Sequence, residues 1–302
     1  MASKRPSRLL VIWIVIACDL AITASKLFGG LMSGSSALLS EAAHTSVDIS
    51  IGLLLLYGEH RASVPADGNH PLGHGREIYF WSFVVSLLMF SGGAVGTILL
   101  GVWRILQPEQ LSDVWVAYVV LLAAGLFDAT SLYYGWRRFN VERGEQSLAA
   151  AVVASKDAPT FVVLLQDTAG VLGVLIAAAG TFASAHFGWA KADGVASCAI
   201  GLLLAATALV LARESKRLLL GEPADPKIAA TIRRVAERQQ GGLGVDEVAT
   251  LQVAPDQIVV MMELNFGGDL RPPQVEAVLK DIERKVKKAV PQVTEIFVHP
   301  TS

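Results

Sequence analysis

Charge is scarce in this sequence. Asp, Glu, Lys and Arg make up 17% of its 302 residues, where an ordinary soluble domain carries about 25%. With 53% hydrophobic residues and a mean hydropathy of +0.49, the chain is too apolar for a water-soluble globule and for a disordered segment. There are only two cysteines, Cys18 and Cys198, both inside apolar runs. That excludes a disulfide framework and a thiol metal cluster. A basic surplus is missing too: the formal net charge is −2, which argues against nucleic acid as a partner. The chain also lacks a Gly-x-x-x-x-Gly-Lys-Ser/Thr phosphate loop, a Gly-x-Ser-x-Gly elbow and a His-Glu-x-x-His helix, so nucleotide-driven work and two hydrolase chemistries have no sequence support.

What charge there is lies unevenly. Residues 1–221 hold 30 of the 52 charged side chains, and the 81 residues of 222–302 hold the other 22. That split predicts a membrane domain over 1–221 followed by a small soluble domain over 222–302. Crossing a bilayer takes about 20 mainly apolar residues, and six stretches qualify: Leu9–Met32, Ser36–Tyr57, Ile78–Trp103, Val114–Trp136, Thr160–Ala185 and Asp193–Ala212. The first, although preceded by Lys4, Arg5 and Arg8, is too long for a signal peptide and is read as a retained helix. With the N-terminus inside, twelve basic residues of 1–221 fall on the inner side, and only Arg104 and Lys191 on the outer. Both termini are therefore expected in the cytoplasm.

The tail reads as helix, strand, strand, helix, strand. Pro226–Gln240 is a short helix. Val245–Val253 and Ile258–Phe266 form a hairpin about the turn signal Pro255-Asp256-Gln257, and Arg271–Val290 has helical spacing. Val293–Val298 is a last strand, giving a small open α/β sandwich.

Several ionisable residues stand where a membrane helix normally has none. Each costs about 2.5–3.5 kcal/mol at a bilayer centre on insertion scales, so each should face a cavity or a partner. On the second span, Glu41, His44, Thr45 and Asp48 follow steps of three and four and share one stripe. His44 and Asp48, one turn apart, can reach the same divalent ion with a nitrogen and an oxygen, a ligand pair suited to zinc or a neighbouring first-row metal. The same spacing also fits a helix-to-helix hydrogen bond, and two ligands do not complete a site. The fifth span offers Gln166 and Asp167 as the complement. Asp157 and Thr160 lie on the Asp167 face nearer the membrane surface, with Lys156 beside Asp157. Asp19 and Lys26, seven residues apart on one face, are expected as structural or gating partners, and Asp128 as the partner of a neighbouring basic residue. Between the second and third spans, Asp67, His70 and His74 place three donors within eight positions of a glycine-rich loop. That loop is read as a secondary metal site or as a tight turn capping the third helix.

These motifs together carry a family likeness. The segment Ser33–Asp48, the loop Asn69-His-Pro-Leu-Gly-His-Gly-Arg76, Asp193-Gly-Val-Ala-Ser197, Leu211-Ala-Arg-Glu-Ser215 and the ending Ile296-Phe-Val-His-Pro300 resemble those of the cation diffusion facilitators, six-span divalent-metal/proton antiporters that work as homodimers. The resemblance extends from about Leu9 to Pro300. It implies a transport site at His44, Asp48 and Asp167, a secondary loop site at Asp67 and His74 with His70 nearby, and a ferredoxin-like αββαβ cytoplasmic domain. Many members carry His or Asp four residues before the fifth-helix Asp. Here that position is Val163, and Gln166 is the nearest polar alternative for a fourth ligand. His299 is the one histidine after His186, so the tail is expected to dimerise without a full zinc cluster.

The expectation is therefore an integral, multi-pass α-helical protein of a cell inner membrane, with an organelle membrane as the alternative. It is not an enzyme and has no resident cofactor. It would carry zinc, or cobalt or ferrous iron, out of the cytoplasm against protons. A metal-responsive scaffold without transport and a membrane-embedded metal-dependent hydrolase are the rival readings.

Overall fold

The structure, a computed structural model, describes residues 8–108, 113–143, 158–238, 244–266 and 271–301. Lys4, Arg5, Lys156 and Asp157 lie outside the described residues, as do the side chains of Asp19 and Thr160. Contacts divide the chain into two compact units. One comprises Met1–Tyr57, Trp81–Leu148 and Pro159–Arg213; the other comprises Gly58–Phe80, Ala149–Ala158 and Glu214–Ser302.

The helices are α1 (Arg8–Ser33), α2 (Ser36–Ala62), α3 (Glu77–Leu106), α4 (Val114–Arg143), α5 (Ala158–Phe187) and α6 (Ala192–Leu220). Among the described residues, α2 to α6 are each long and apolar enough to cross a membrane, and Leu20–Ser33 of α1 is a shorter apolar stretch. The helices overrun the expected spans at their polar ends. α6 continues past Ala212 through Arg213, Glu214, Lys216 and Arg217, because hydropathy stops at the first charges while helical hydrogen bonding does not. The middle of α3, Met89–Val95, takes π geometry. Ser91-Gly92-Gly93 stands there, with the Ser91 hydroxyl donating back to the Leu87 carbonyl at 2.8 Å, a combination that loosens the regular ladder.

The first unit is inverted relative to a soluble protein. Leu99, Leu122, Leu126, Leu175, Leu202 and Leu209 are exposed, while Ser40, Glu41, His44, Gln166 and Asp193 are buried. Such an apolar exterior suits lipid, and polar groups inside must find one another. Small residues let backbones approach: a Cβ on Gly101 of α3 would stand 2.6 Å from the Cys198 sulfur of α6. The connection from α1 to α2 is clamped by two distant side chains. Asp193, in the first turn of α6, accepts hydrogen bonds from the Ser35 and Ser36 hydroxyls and from the Ser36 and Ala37 backbone N–H groups. A carboxylate from another helix thus caps the N-terminus of α2. Arg104 donates to the carbonyl of Gly34, whose φ of +69° makes the turn.

The second unit contains α7 (Pro226–Glu237), β1 (Gly244–Ala254), β2 (Gln257–Asn265), α8 (Pro272–Ala289) and β3 (Val293–Thr301), each within a few residues of its expected bounds. Asp225 caps α7 by accepting from the Lys227 N–H at 2.7 Å, with Pro226 at the first helical position. The sheet order is β1-β2-β3, antiparallel across the Pro255-Asp256 turn and parallel between β2 and β3. Alternation sends Ile258, Val260, Met262 and Leu264 under the helices, against Ile232, Ile282 and Val286. On the reverse face Met261 and Phe297 are exposed. The loop between α2 and α3 belongs to this same unit. Gly75 lies so close to the hairpin that a Cβ on it would stand 2.8 Å from Gln257 Oε1 and 2.9 Å from Ala254 Cβ.

Candidate metal sites

Helical spacing on α2 aligns the donors of the first unit. His44 Nε2 stands 3.5 Å from Asp48 Oδ2, and His44 is 2% exposed. That imidazole nitrogen has no hydrogen-bond partner. Gln166 of α5 donates its amide to Asp48 Oδ1 at 2.8 Å. Its neighbour Asp167 accepts from the Ser131 hydroxyl of α4 at 2.9 Å. Consecutive helical residues point about 100° apart, so Gln166 turns to α2 while Asp167 turns to α4.

One turn along α2, a second polar cluster surrounds Lys26 of α1. Its ammonium lies 3.1 Å from Glu41 Oε2, 2.9 Å from Thr45 Oγ1 and 3.8 Å from Asp128 Oδ2. Asp128 thus has the basic partner expected for it. For Lys26 the structure gives Glu41 and Asp128 as partners; the side chain of Asp19 lies outside the described residues. Sequence spacing groups Glu41 with His44 and Asp48 on one stripe, yet it carries no information on which helix supplies the opposing cation.

In the second unit, the loop folds around Asp67. Oδ1 accepts the backbone N–H groups of Asn69 at 2.8 Å and His70 at 2.7 Å, while Oδ2 stands 3.1 Å from His74 Nε2. The His70 and His74 rings lie 4.0 Å apart, centroid to centroid. The contact with His74, then the backbone N–H groups of His70 and Asn69, hold the Asp67 carboxyl well below the usual carboxylate range. Among the described residues this is the one set of three or more His, Cys, Asp or Glu residues whose ligand atoms lie within 4.8 Å of one another. The expected loop donors are therefore gathered. His44, Asp48 and Asp167 are not gathered to that degree.

Residues 12–220 match the cation efflux transmembrane domain, and residues 224–301 match the cation efflux protein cytoplasmic domain. The chain belongs to the cation efflux family. Members of this family are cation transporters and not enzymes. Similar proteins include the human mitochondrial proton-coupled zinc antiporter SLC30A9, 26% identical over 245 residues, covering 80% of this chain and 43% of the relative. The manganese efflux system protein MneP of Bacillus subtilis is 24% identical over 305 residues, covering 99% of this chain and 98% of that one. The cation-efflux pump FieF of Escherichia coli is 23% identical over 274 residues, covering 91% and 86%. The chain spans less than half the length of the zinc antiporters it matches.

Register sets Glu247 opposite Glu263 and Glu263 opposite His299, one row across three strands. They line a groove of about 370 Å³ with Met261 and Phe297. Sequence spacing gave no reason to join Glu263 to His299; the parallel pairing of β2 with β3, set by the α8 crossover, supplies it.

Proposed function

We propose that this cation efflux protein exports divalent transition-metal ions, zinc the best fit, from the cytoplasm in exchange for protons. The observation that carries this reading is the His44–Asp48–Gln166 group, with His44 and Gln166 buried and Asp48 half-buried, inside an apolar helix bundle. His44, Asp48 and Asp167 act as the transport ligands. Asp167 joins them when α5 turns it from Ser131 towards α2, and Gln166 or water is the fourth donor. A nitrogen donor beside carboxylates favours zinc, cobalt or ferrous iron over manganese. Ligation needs the imidazole neutral and the carboxylates ionised, so metal and protons compete for the same groups. Asp67, His70 and His74 hold a metal at the cytoplasmic face and tune entry.

In this reading residues 1–221 form a six-span transport domain. Residues 222–302 form a ferredoxin-like domain that pairs two copies through the face bearing Met261 and Phe297. The twelve-to-two distribution of basic residues supports an orientation with both termini in the cytoplasm. The bacterial relatives support a cell inner membrane, and the mitochondrial one supports an organelle as the alternative. One observation favours a metal sensor that does not transport: Asp167 is engaged by Ser131 instead of sharing a site with His44. Zinc flux into sealed vesicles with an acidic lumen decides between them. Flux is expected, and it should vanish when the pH gradient is collapsed; its absence in a folded, reconstituted protein would leave the sensor.

A further inference from the structure

Two carboxylates, Glu41 and Asp128, and the hydroxyl of Thr45 converge on one point in the first unit, and a cation already sits there. It is the ammonium of Lys26, 1% exposed, at 3.1 Å from Glu41, 2.9 Å from Thr45 and 3.8 Å from Asp128. Three features set this apart from an ordinary ion pair. Ionised, the cluster carries two negative charges against one positive. Glu41 Oε1 and Asp128 Oδ2 are buried with no hydrogen-bond partner, although Glu41 is 0% exposed. The wall of α5 is bare where the carboxylates lie: a Cβ on Gly173 would collide with Glu41 Oε1, and one on Gly170 would stand 3.4 Å from Asp128 Oδ2. In a lipid-facing bundle, an apolar triad of similar volume is the cheaper solution, so a retained oxygen cage around one cation calls for a use.

We propose that Glu41, Thr45 and Asp128 form a second cation-binding position that Lys26 fills with its own tethered ammonium, and that an oxygen-preferring divalent ion takes it when the ammonium is removed. The donors are all oxygen, so the matching ion is of the manganese or magnesium kind, completing its shell with water. The occupied position admits no second ion beside the transport ligands and keeps a fixed positive charge next to them. This inference concerns binding alone and stands apart from whether His44 and Asp48 carry an ion across the membrane.

The test counts Mn²⁺ bound per chain on the full-length protein in detergent, by the loss of the free-ion EPR signal. Every sample carries Asp67→Ala and His74→Ala so that the loop does not contribute. Lys26→Ala should bind about one more Mn²⁺ per chain than the protein with Lys26, because the vacated position offers the oxygen donors that suit that ion. Lys26→Arg should keep the original count, and Lys26→Ala with Glu41→Gln should lose the gain. If Lys26→Ala folds poorly, Mn²⁺ should restore its melting temperature while choline does not, and Lys26→Ser supplies a second cavity variant. An unchanged Mn²⁺ count in a folded Lys26→Ala or Lys26→Ser, or a Lys26→Ala that Mn²⁺ fails to rescue, overturns the proposal. Zinc flux by the unaltered protein is untouched by either result, so the two readings fail separately.

Discussion

The two units solve opposite solvent problems with the same chain. In the helical unit the interior holds Glu41, His44, Lys26 and Asp193 while leucines face outward; in the sheet unit Val260, Met262 and Leu264 are inside. A buried ionisable group therefore means different things in the two. In the bundle it is expensive and marks a pathway or a clamp. In the small domain the burial signal is only packing, and the informative observation is the reverse one, the exposed Met261 and Phe297.

Breaking this contrast is how we would test it. The largest effect is expected at the α2 ligands: His44→Ala with Asp48→Ala should abolish zinc flux in vesicles while the purified protein stays folded and helical. Wild-type flux in that double variant would remove His44 and Asp48 from the transport site. Next in size is the apolar core of the sheet unit. Leu264→Ala should destabilise residues 222–302 by about 2–5 kcal/mol, read as a fall in the melting temperature of that fragment, with flux lost only through misassembly. Smaller again is the clamp: Asp193→Asn keeps the shape but weakens charge-assisted bonds, and should cost about 1–3 kcal/mol of stability, measured in detergent melts. A melt indistinguishable from wild type would mean that the serines find other partners.

The loop should respond least. Asp67→Ala with His74→Ala should lower flux by less than Asp48→Ala does, and complete loss with normal expression would give the loop a primary role. Its pH behaviour follows from sign. The Asp67 pKa is depressed, so the carboxylate stays ionised as pH falls through the ordinary range, and what it contributes to stability is lost only below that range. Between about pH 4 and 6, then, protonation of Asp67 should not weaken zinc binding to the loop. An acid loss of zinc binding in that range that Asp67→Asn alone abolishes would contradict this.

The sequence reveals faces better than partners. The stripe on α2, the hairpin and the three loop donors come directly from spacing, because periodicity of three to four, or of two, is a local property. Three things were beyond its reach. Which of Gln166 and Asp167 turns to α2 depends on the rotation of α5, set by packing against α4. The pairing of Lys26 with Glu41 and Asp128 joins three helices. The row Glu247–Glu263–His299 depends on strand register. The motif Ser33–Ser36 reads from sequence as a turn between two spans and as part of the likeness; the cap that Asp193 supplies to it becomes visible once α2 and α6 are side by side.

That cap also imposes an order of events during synthesis. Asp193 follows Ser36 by 157 residues, and at about 5–20 residues per second the ribosome needs roughly 8–30 s to make that stretch. Throughout that interval the first turn of α2 has its N–H groups but not the carboxylate that satisfies them. The helix carrying His44 and Asp48 is thus inserted early and fastened late, and the polar interior closes only after α6 has arrived.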